Sequence, residues 1–120
     1  MTLELAKTFR FEAAHLLPNV PADHKCRRLH GHSFRATVRV TGPVDPHTGW
    51  VIDYAEIARA FEPLRLALDH HHLNEIEGLD NPTSENVARW IWVRLRPTLP
   101  LLTSITVHET CTASCTYRGD

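Results

Sequence analysis

Residues 33–40, SFRATVRV, alternate apolar and polar side chains, which is the pattern of a β-strand with one buried face. The predicted buried face carries Phe34, Ala36, Val38 and Val40, and the opposite face carries Arg35, Thr37 and Arg39. Extending the same parity backward places His32 and His30 on the buried side. The stretch therefore predicts both a sheet and a pair of histidines at one end of a strand.

The flanking segments predict the rest of an α+β domain. Strands are expected over residues 3–15, 33–41, 49–53 and 104–111, with a Pro/Asp/Gly turn joining the second strand to the third as a hairpin. Helical spacing predicts one helix over residues 53–68, with Asp53 as its N-cap and Pro63 as a site where it could kink. A second helix is expected to begin at Thr83 or Ser84 and to stop at Pro97. This order favours one domain over residues 1–120, with a four-stranded antiparallel sheet and two helices on one face.

Composition excludes several classes of protein. The formal net charge of -1 lacks the basic excess of a nucleic-acid-binding protein, so a small-molecule partner is expected. The first residues carry charges throughout and do not form a signal peptide, and no apolar run is long enough to span a membrane. The three cysteines are too few for a secreted disulfide framework, which favours a reducing cytoplasm.

The nine histidines are the unusual feature of the composition. His30 and His32 share a strand face and can reach one ion, and His15, at the inward end of the first strand, is the best third candidate. Three protein ligands would leave one coordination position of a zinc ion open for chemistry, whereas four would fill all its positions. The alternative interpretation is that His-Gly-His is only a polar turn.

Other candidate residues lie in separate segments. Cys26 is flanked by Lys25, Arg27 and Arg28, whose positive charge would favour a reactive thiolate, although it could equally be a fourth zinc ligand or an inert loop residue. Asp69 and His70 begin the run DHHH, and an imidazole oriented by a carboxylate suits proton transfer at neutral pH.

Glu109 lies among apolar residues on the last predicted strand. A buried carboxylate needs donors, which either an arginine or the N–H groups of a heterocyclic ligand could supply. Both interpretations remain open at this level.

Six motifs in order along nearly the whole chain resemble those of the 6-pyruvoyltetrahydropterin synthase family. They are FEAAH at 11–15, HKCRRLHGH at 24–32, DPHTGWVIDY at 45–54, LDHHHLN at 68–74, NPTSENVA at 81–88 and HETCTASCTYRG at 108–119. The likeness is strongest to the bacterial branch that forms 6-carboxytetrahydropterin in queuosine biosynthesis. A branch that acts in folate synthesis looks as if it replaces the cysteine of the second motif with glutamate, so Cys26 argues against it.

The resemblance implies a role for each matching residue. His15, His30 and His32 match the zinc ligands, and Cys26 matches the catalytic thiol. His70 matches the catalytic histidine with Asp69 as its partner, and Glu109 matches the carboxylate that anchors the pterin ring. His71 and His72 inherit no role, and Lys25, Arg27 and Arg28 are candidates for binding the triphosphate.

The resemblance also implies the fold, the assembly and the reaction. The fold would be the tunnelling fold, in which subunits form a barrel, commonly a homohexamer with active sites between subunits. The reaction would convert 7,8-dihydroneopterin triphosphate to 6-carboxytetrahydropterin, with release of triphosphate and acetaldehyde, as a lyase. The alternatives are a pyruvoyl-forming synthase and a zinc-binding module without turnover.

Overall fold

The computed structural model describes residues 1–120 and contains a five-stranded sheet with two helices on one face. The strands are β1 (Thr2–His15), β2 (His30–Pro43), β3 (His71–His72), β4 (Leu102–His108) and β5 (Ser114–Tyr117), and the helices are α1 (Tyr54–Leu68) and α2 (Ser84–Leu95). The sheet order is β3-β1-β2-β4-β5. All neighbours are antiparallel except β1 and β3. The predicted α+β architecture is confirmed.

The long β1–β2 pair forms the centre of the sheet. Its register places Phe11 opposite Phe34 and His15 opposite His30. The rings of Phe11 and Phe34 are stacked, with centroids 5.1 Å apart, and both side chains are buried. The alternation read from residues 33–40 therefore gives the correct buried face, because the period of a strand is two.

Both helices cover the buried face, with α1 against β1 and α2 against β4 and β5. Phe61 of α1 stacks on Phe9 of β1 with centroids 4.2 Å apart. Asp53 caps α1 by accepting a hydrogen bond from the Ala55 N–H at 2.9 Å, and Thr83 caps α2 in the same manner. Neither helix is both long and apolar enough to cross a membrane.

The predicted strand over residues 49–53 is wrong. Asp45 Oδ1 accepts hydrogen bonds from the backbone N–H groups of His47 and Thr48, and Gly49 adopts a positive φ of 78°. The loop thus satisfies its backbone groups with its own hydrogen bonds, and Ile52 of the short apolar run that follows packs against the core without joining the sheet. β4 takes the place beside β2.

Two strands were not predicted. β3 pairs with β1 through only two residues, and β5 follows a tight turn that interrupts the predicted strand over residues 104–111. This turn closes with a hydrogen bond from the Glu109 N–H to the Ala113 carbonyl. Strands this short carry no clear alternation, so periodicity could not identify them.

Candidate metal centre and active site

Three histidines converge where β1 ends and β2 begins. His15 is the last residue of β1, and His30 and His32 are the first and third residues of β2. One potential ligand atom from each ring lies within 4.8 Å of the other two. The three imidazoles can therefore hold one metal ion.

Backbone carbonyl groups orient two of these rings. His15 Nδ1 lies 2.8 Å from the Pro82 carbonyl oxygen, and His30 Nδ1 lies 2.7 Å from that of Arg28. Because a carbonyl oxygen only accepts, each Nδ1 carries the proton and donates it. Each Nε2 then has a free lone pair, which is the form that a metal ion requires.

Two of the converging ring nitrogens are buried without a hydrogen bond. Nε2 of His15 and Nε2 of His32 are buried and form no hydrogen bond. Burial lowers the pKa of both histidines from the ordinary value of 6.5, so both rings are neutral at neutral pH. Unsatisfied buried nitrogen atoms are unfavourable, and a metal ion at their centre would satisfy them. The donor set therefore fits a metal ion.

The backbone of Glu12 in β1 holds both Asp69 and His70. Asp69 Oδ1 accepts from the Glu12 N–H at 2.8 Å, and the His70 N–H donates to the Glu12 carbonyl at 2.5 Å. His70 Nδ1 lies 2.9 Å from Asp69 Oδ2. His70 adopts a positive φ of 58°, which is uncommon for a residue other than glycine, and these contacts hold it there. The hydrogen bond from Glu12, and then that from His70, lowers the pKa of Asp69, so the carboxylate is charged.

His32 of the histidine cluster and His70 line one cleft. Its volume is about 530 Å³, and its walls include His32, His70 and Glu12. The His70 side chain is 78% exposed and therefore free to meet a ligand. A molecule in this cleft would contact His32 and an imidazole oriented by a carboxylate.

Cys26 lies apart from the histidine cluster. It occupies a single 3₁₀ turn, Lys25–Arg27, where it is half-buried, and its sulfur does not belong to the group of converging ligand atoms. Its carbonyl accepts a hydrogen bond from the Leu17 N–H at 2.8 Å, which ties this loop to the chain just after His15. Three histidines therefore converge, and no cysteine sulfur joins them as a fourth ligand.

Glu109 lies beyond the end of β4, not on a strand face as the sequence predicted. Its Oε1 is 3.4 Å from His15 Nε2 and 3.7 Å from His32 Nε2, and its side chain is 29% exposed. Glu109 also lines a second cleft of about 540 Å³ together with His32, Arg10 and Arg35. Of the two interpretations of Glu109, the arginine ion pair is not found, and the carboxylate lies beside the histidines.

Sequence analysis did not predict some of the residues that build the site. Glu12 acts through its backbone, as do Pro82 and Arg28, so their side-chain types carried no signal. The remaining histidines of the DHHH run lie on β3. His71 Nδ1 bonds to the Asp69 carbonyl, and His72 Nδ1 lies 3.5 Å from Glu75.

Comparison with known proteins agrees with this geometry. The family model described as 6-pyruvoyl tetrahydropterin synthase matches residues 4–120. The chain belongs to this family. A Synechocystis sp. relative named 6-carboxy-5,6,7,8-tetrahydropterin synthase is 44% identical over 92% of this chain and 89% of its own length.

Two further relatives show the range of the family. A Pyrococcus furiosus protein named dihydroneopterin monophosphate aldolase is 38% identical over 75% of this chain and 72% of its own length. The solved structure of Caenorhabditis elegans 6-pyruvoyl tetrahydropterin synthase superposes with a TM-score of 0.92 at 27% identity, covering 100% of this chain and 97% of that one. Family members therefore carry names for three different pterin reactions.

Proposed function

We propose that this chain is a zinc-dependent 6-carboxy-5,6,7,8-tetrahydropterin synthase. It would convert 7,8-dihydroneopterin triphosphate to 6-carboxytetrahydropterin, acetaldehyde and triphosphate, a step of queuosine biosynthesis. The observation that carries this proposal is the three-histidine cluster, one member of which, His32, lines the same cleft as His70. The 44% identity to the Synechocystis relative favours this reaction over the other two in the family.

His15, His30 and His32 would hold the zinc ion. Three imidazole ligands suit zinc, and such a site leaves a position for substrate. Bound zinc would supply Lewis-acid polarisation of a substrate oxygen. Glu109 would bind the pterin ring by accepting hydrogen bonds from its N–H groups, and its 29% exposure leaves it accessible for that contact.

Cys26 and His70 would move the protons of the reaction. Cys26 would act as the base that takes a proton from the substrate. His70 has its Nδ1 directed at Asp69, so its Nε2 is the atom available to exchange a proton with substrate. Asp69 would act as a positioning residue that stabilises the protonated imidazole.

The deciding assay uses the purified, zinc-loaded protein with the triphosphate and, separately, the monophosphate of 7,8-dihydroneopterin. The proposal predicts stoichiometric acetaldehyde and 6-carboxytetrahydropterin from the triphosphate. A pyruvoyl product without acetaldehyde would establish a pyruvoyl-forming synthase. Turnover of only the monophosphate would favour an aldolase like the Pyrococcus furiosus relative.

A zinc-binding module without turnover is the remaining alternative. Such a module would use Cys26 as a fourth ligand, so zinc would protect this thiol. Iodoacetamide should label Cys26 in the zinc-loaded enzyme at the same rate as in the metal-free protein. Protection by zinc would contradict the catalytic assignment.

The proposal includes a homohexamer with active sites between subunits. β3 covers the outer edge of β1 only at Ala13 and Ala14, so most of this long strand lacks a neighbour on that side. An unpaired strand edge is suited to pairing with another subunit. Light scattering should give six times the chain mass of 13.7 kDa, and a stable monomer would overturn this part of the proposal.

A further inference from the structure

Residues 117–120 fold back over the indole ring of Trp92, which α2 presents to β5. The ring of Tyr117, the last residue of β5, meets the Trp92 ring edge to face, with centroids 5.7 Å apart. The Tyr117 hydroxyl donates to the Asp120 carbonyl at 3.1 Å, which closes a short loop after the strand. Within this loop, Gly119 packs directly on the indole ring.

The position of Gly119 is suited only to glycine. Its φ is 85°, in the region that residues with a side chain rarely adopt. A Cβ atom at this position would meet Cζ2 of Trp92 and would lie 2.8 Å from Cε2 of the same ring. Carbon atoms in contact normally lie about 3.5–4.0 Å apart. Any larger residue would therefore displace either the backbone of this segment or the Trp92 ring.

β5 depends on α2 as well as on β4 for its position. It has four residues, lies at the edge of the sheet and pairs only with β4. Its inward side chains, Cys115 and Tyr117, pack against the core, and so does Trp92. Because so short a strand gains little stability from pairing alone, its contacts with α2 are needed to hold it in place.

The turn between β4 and β5 links this strand to Glu109. The Glu109 N–H donates to the Ala113 carbonyl at 3.2 Å, and Ala113 immediately precedes β5. The position of β5 therefore sets the acceptor that holds the Glu109 backbone. The carboxylate of Glu109 lies 3.4 Å from His15 Nε2, so a shift of this turn would move it relative to the histidine cluster.

We propose that Gly119, through its contact with Trp92, is a positioning residue for Glu109. The contact fixes the end of β5 on α2, β5 fixes Ala113, and Ala113 holds the backbone of Glu109. This inference rests on the proposed function for the task of Glu109, which is to bind the pterin ring. The link between Gly119 and the turn rests only on the contacts of the structure.

The first test measures the turn itself, by hydrogen–deuterium exchange of the zinc-loaded protein followed by mass spectrometry. In Gly119→Ala, the amides of residues 109–113 should exchange at least about fivefold faster than in the wild type. Gly49→Ala is the matched control, because Gly49 also has a positive φ, of 78°, but a Cβ there would meet nothing within 4 Å. It should leave exchange at the turn unchanged. Wild-type exchange at the turn in Gly119→Ala would overturn the proposal.

The second test separates positioning from general stability. Gly119→Ala should raise KM for 7,8-dihydroneopterin triphosphate at least about fivefold with a smaller change in kcat, because a displaced Glu109 binds the ring less well. In a Glu109→Gln background the same substitution should change KM by less than about twofold, since the contact it acts through is already lost. Equal factors in the two backgrounds would show that Gly119 acts independently of Glu109, and would overturn the proposal.

A milder variant carries both tests if Gly119→Ala does not fold. Tyr117→Phe keeps the aromatic ring on Trp92 and removes only the hydrogen bond to the Asp120 carbonyl. Exchange at residues 109–113 and KM should both rise by about two- to threefold. A wild-type value of either quantity in this variant would contradict the proposal.

The two proposals can fail separately. If Gly119→Ala loosens the turn but the wild type does not turn over the pterin substrate, the link between Gly119 and the turn stands and the proposed function fails. If the wild type releases acetaldehyde and Gly119→Ala has the wild-type KM, the proposed function stands and the positioning role fails.

Discussion

At the residue scale, the chemistry depends on hydrogen bonds that set the state of each imidazole. Carbonyl groups hold the Nδ1 protons of His15 and His30, and a carboxylate holds that of His70. The first two rings therefore present lone pairs to a common point, whereas His70 presents its free nitrogen to the cleft. Residues of one type are thus suited to two different tasks because their hydrogen-bond partners differ.

Substituting His32 should remove the metal ion. His32→Ala deletes one of three converging nitrogen atoms, so zinc measured after gel filtration should fall well below one ion per chain. His47→Ala, in the exposed turn after β2, should retain full zinc. Full zinc in His32→Ala would show that the ligand set is wrong.

Substituting Cys26 should separate metal binding from turnover. The Cys26 sulfur lies outside the converging group, so Cys26→Ala should keep its zinc while acetaldehyde release falls by about 100-fold or more. Cys111→Ala, which changes an exposed thiol in the β4–β5 turn, serves as the control for the loss of a cysteine. Wild-type turnover in Cys26→Ala would remove the thiol from the mechanism.

Removing the charge of Asp69 should disable His70. In Asp69→Asn the side chain can still accept from the Glu12 N–H, but its amide would face the His70 Nδ1–H and favour the wrong tautomer. We expect kcat to fall by about 100-fold or more, with zinc content unchanged. Raising the pH should not restore activity in this variant, because an amide does not ionise to replace the charge of the Asp69 carboxylate. Activity within a factor of a few of the wild type would exclude this positioning role.

At the element scale, helix ends and strand ends place the functional groups. α1 ends at Leu68, and its C-cap Asp69 meets β1 three residues before His15. α2 begins just after Pro82, whose carbonyl holds the His15 ring. Pro63 does not break α1, which continues for five further residues. The helices therefore act as supports that bring loop residues to the ends of β1 and β2.

Removing the cap of α1 should weaken the fold without touching the site. Asp53→Ala loses the hydrogen bond to the Ala55 N–H and should lower the free energy of unfolding by about 1 kcal/mol. Urea denaturation at a fixed protein concentration would measure this, with the exposed mid-helix change Arg59→Ala as the control. An equal effect in both variants would mean that the cap contributes nothing specific.

At the scale of the whole molecule, metal binding and folding should be coupled. A zinc ion that binds only the folded chain stabilises it, so removing zinc by a chelator should lower the melting temperature. Restoring zinc should reverse this effect. An unchanged melting temperature after complete zinc removal would show that the histidine cluster does not need the ion for stability.

The metal-free protein should also lose stability as the pH falls. The pKa values of His15 and His32 are lowered in the folded state, so below the ordinary value of 6.5 the unfolded chain binds more protons than the folded one. Its melting temperature should therefore decrease as the pH falls through 6.5 and continue to decrease towards the lowered folded-state values. His15→Phe should flatten this dependence, whereas His47→Gln should not; equal slopes would refute the argument.

Local sequence patterns were sufficient to predict the buried faces of the long strands and the two helices with their caps. They also predicted that His30 and His32 share a strand face. A period of two, a period of 3.6 and a capping side chain are properties of neighbouring residues, so they can be read along the chain. The same reasoning failed at residues 49–53, where a short apolar run packs on the core as a loop. It also missed β3 and β5, which are too short to show a period.

The sequence by itself determined which side chains could carry chemistry and, through six ordered motifs, which family the chain belongs to. Only the tertiary structure decided that Glu12 holds Asp69 and His70, that Glu109 points to the histidines, and that Gly119 packs on Trp92. The physical reason is that these relations depend on strand register and on where the helices return to the sheet. Both are set by packing between residues far apart in the chain, and neither leaves a signal in local spacing.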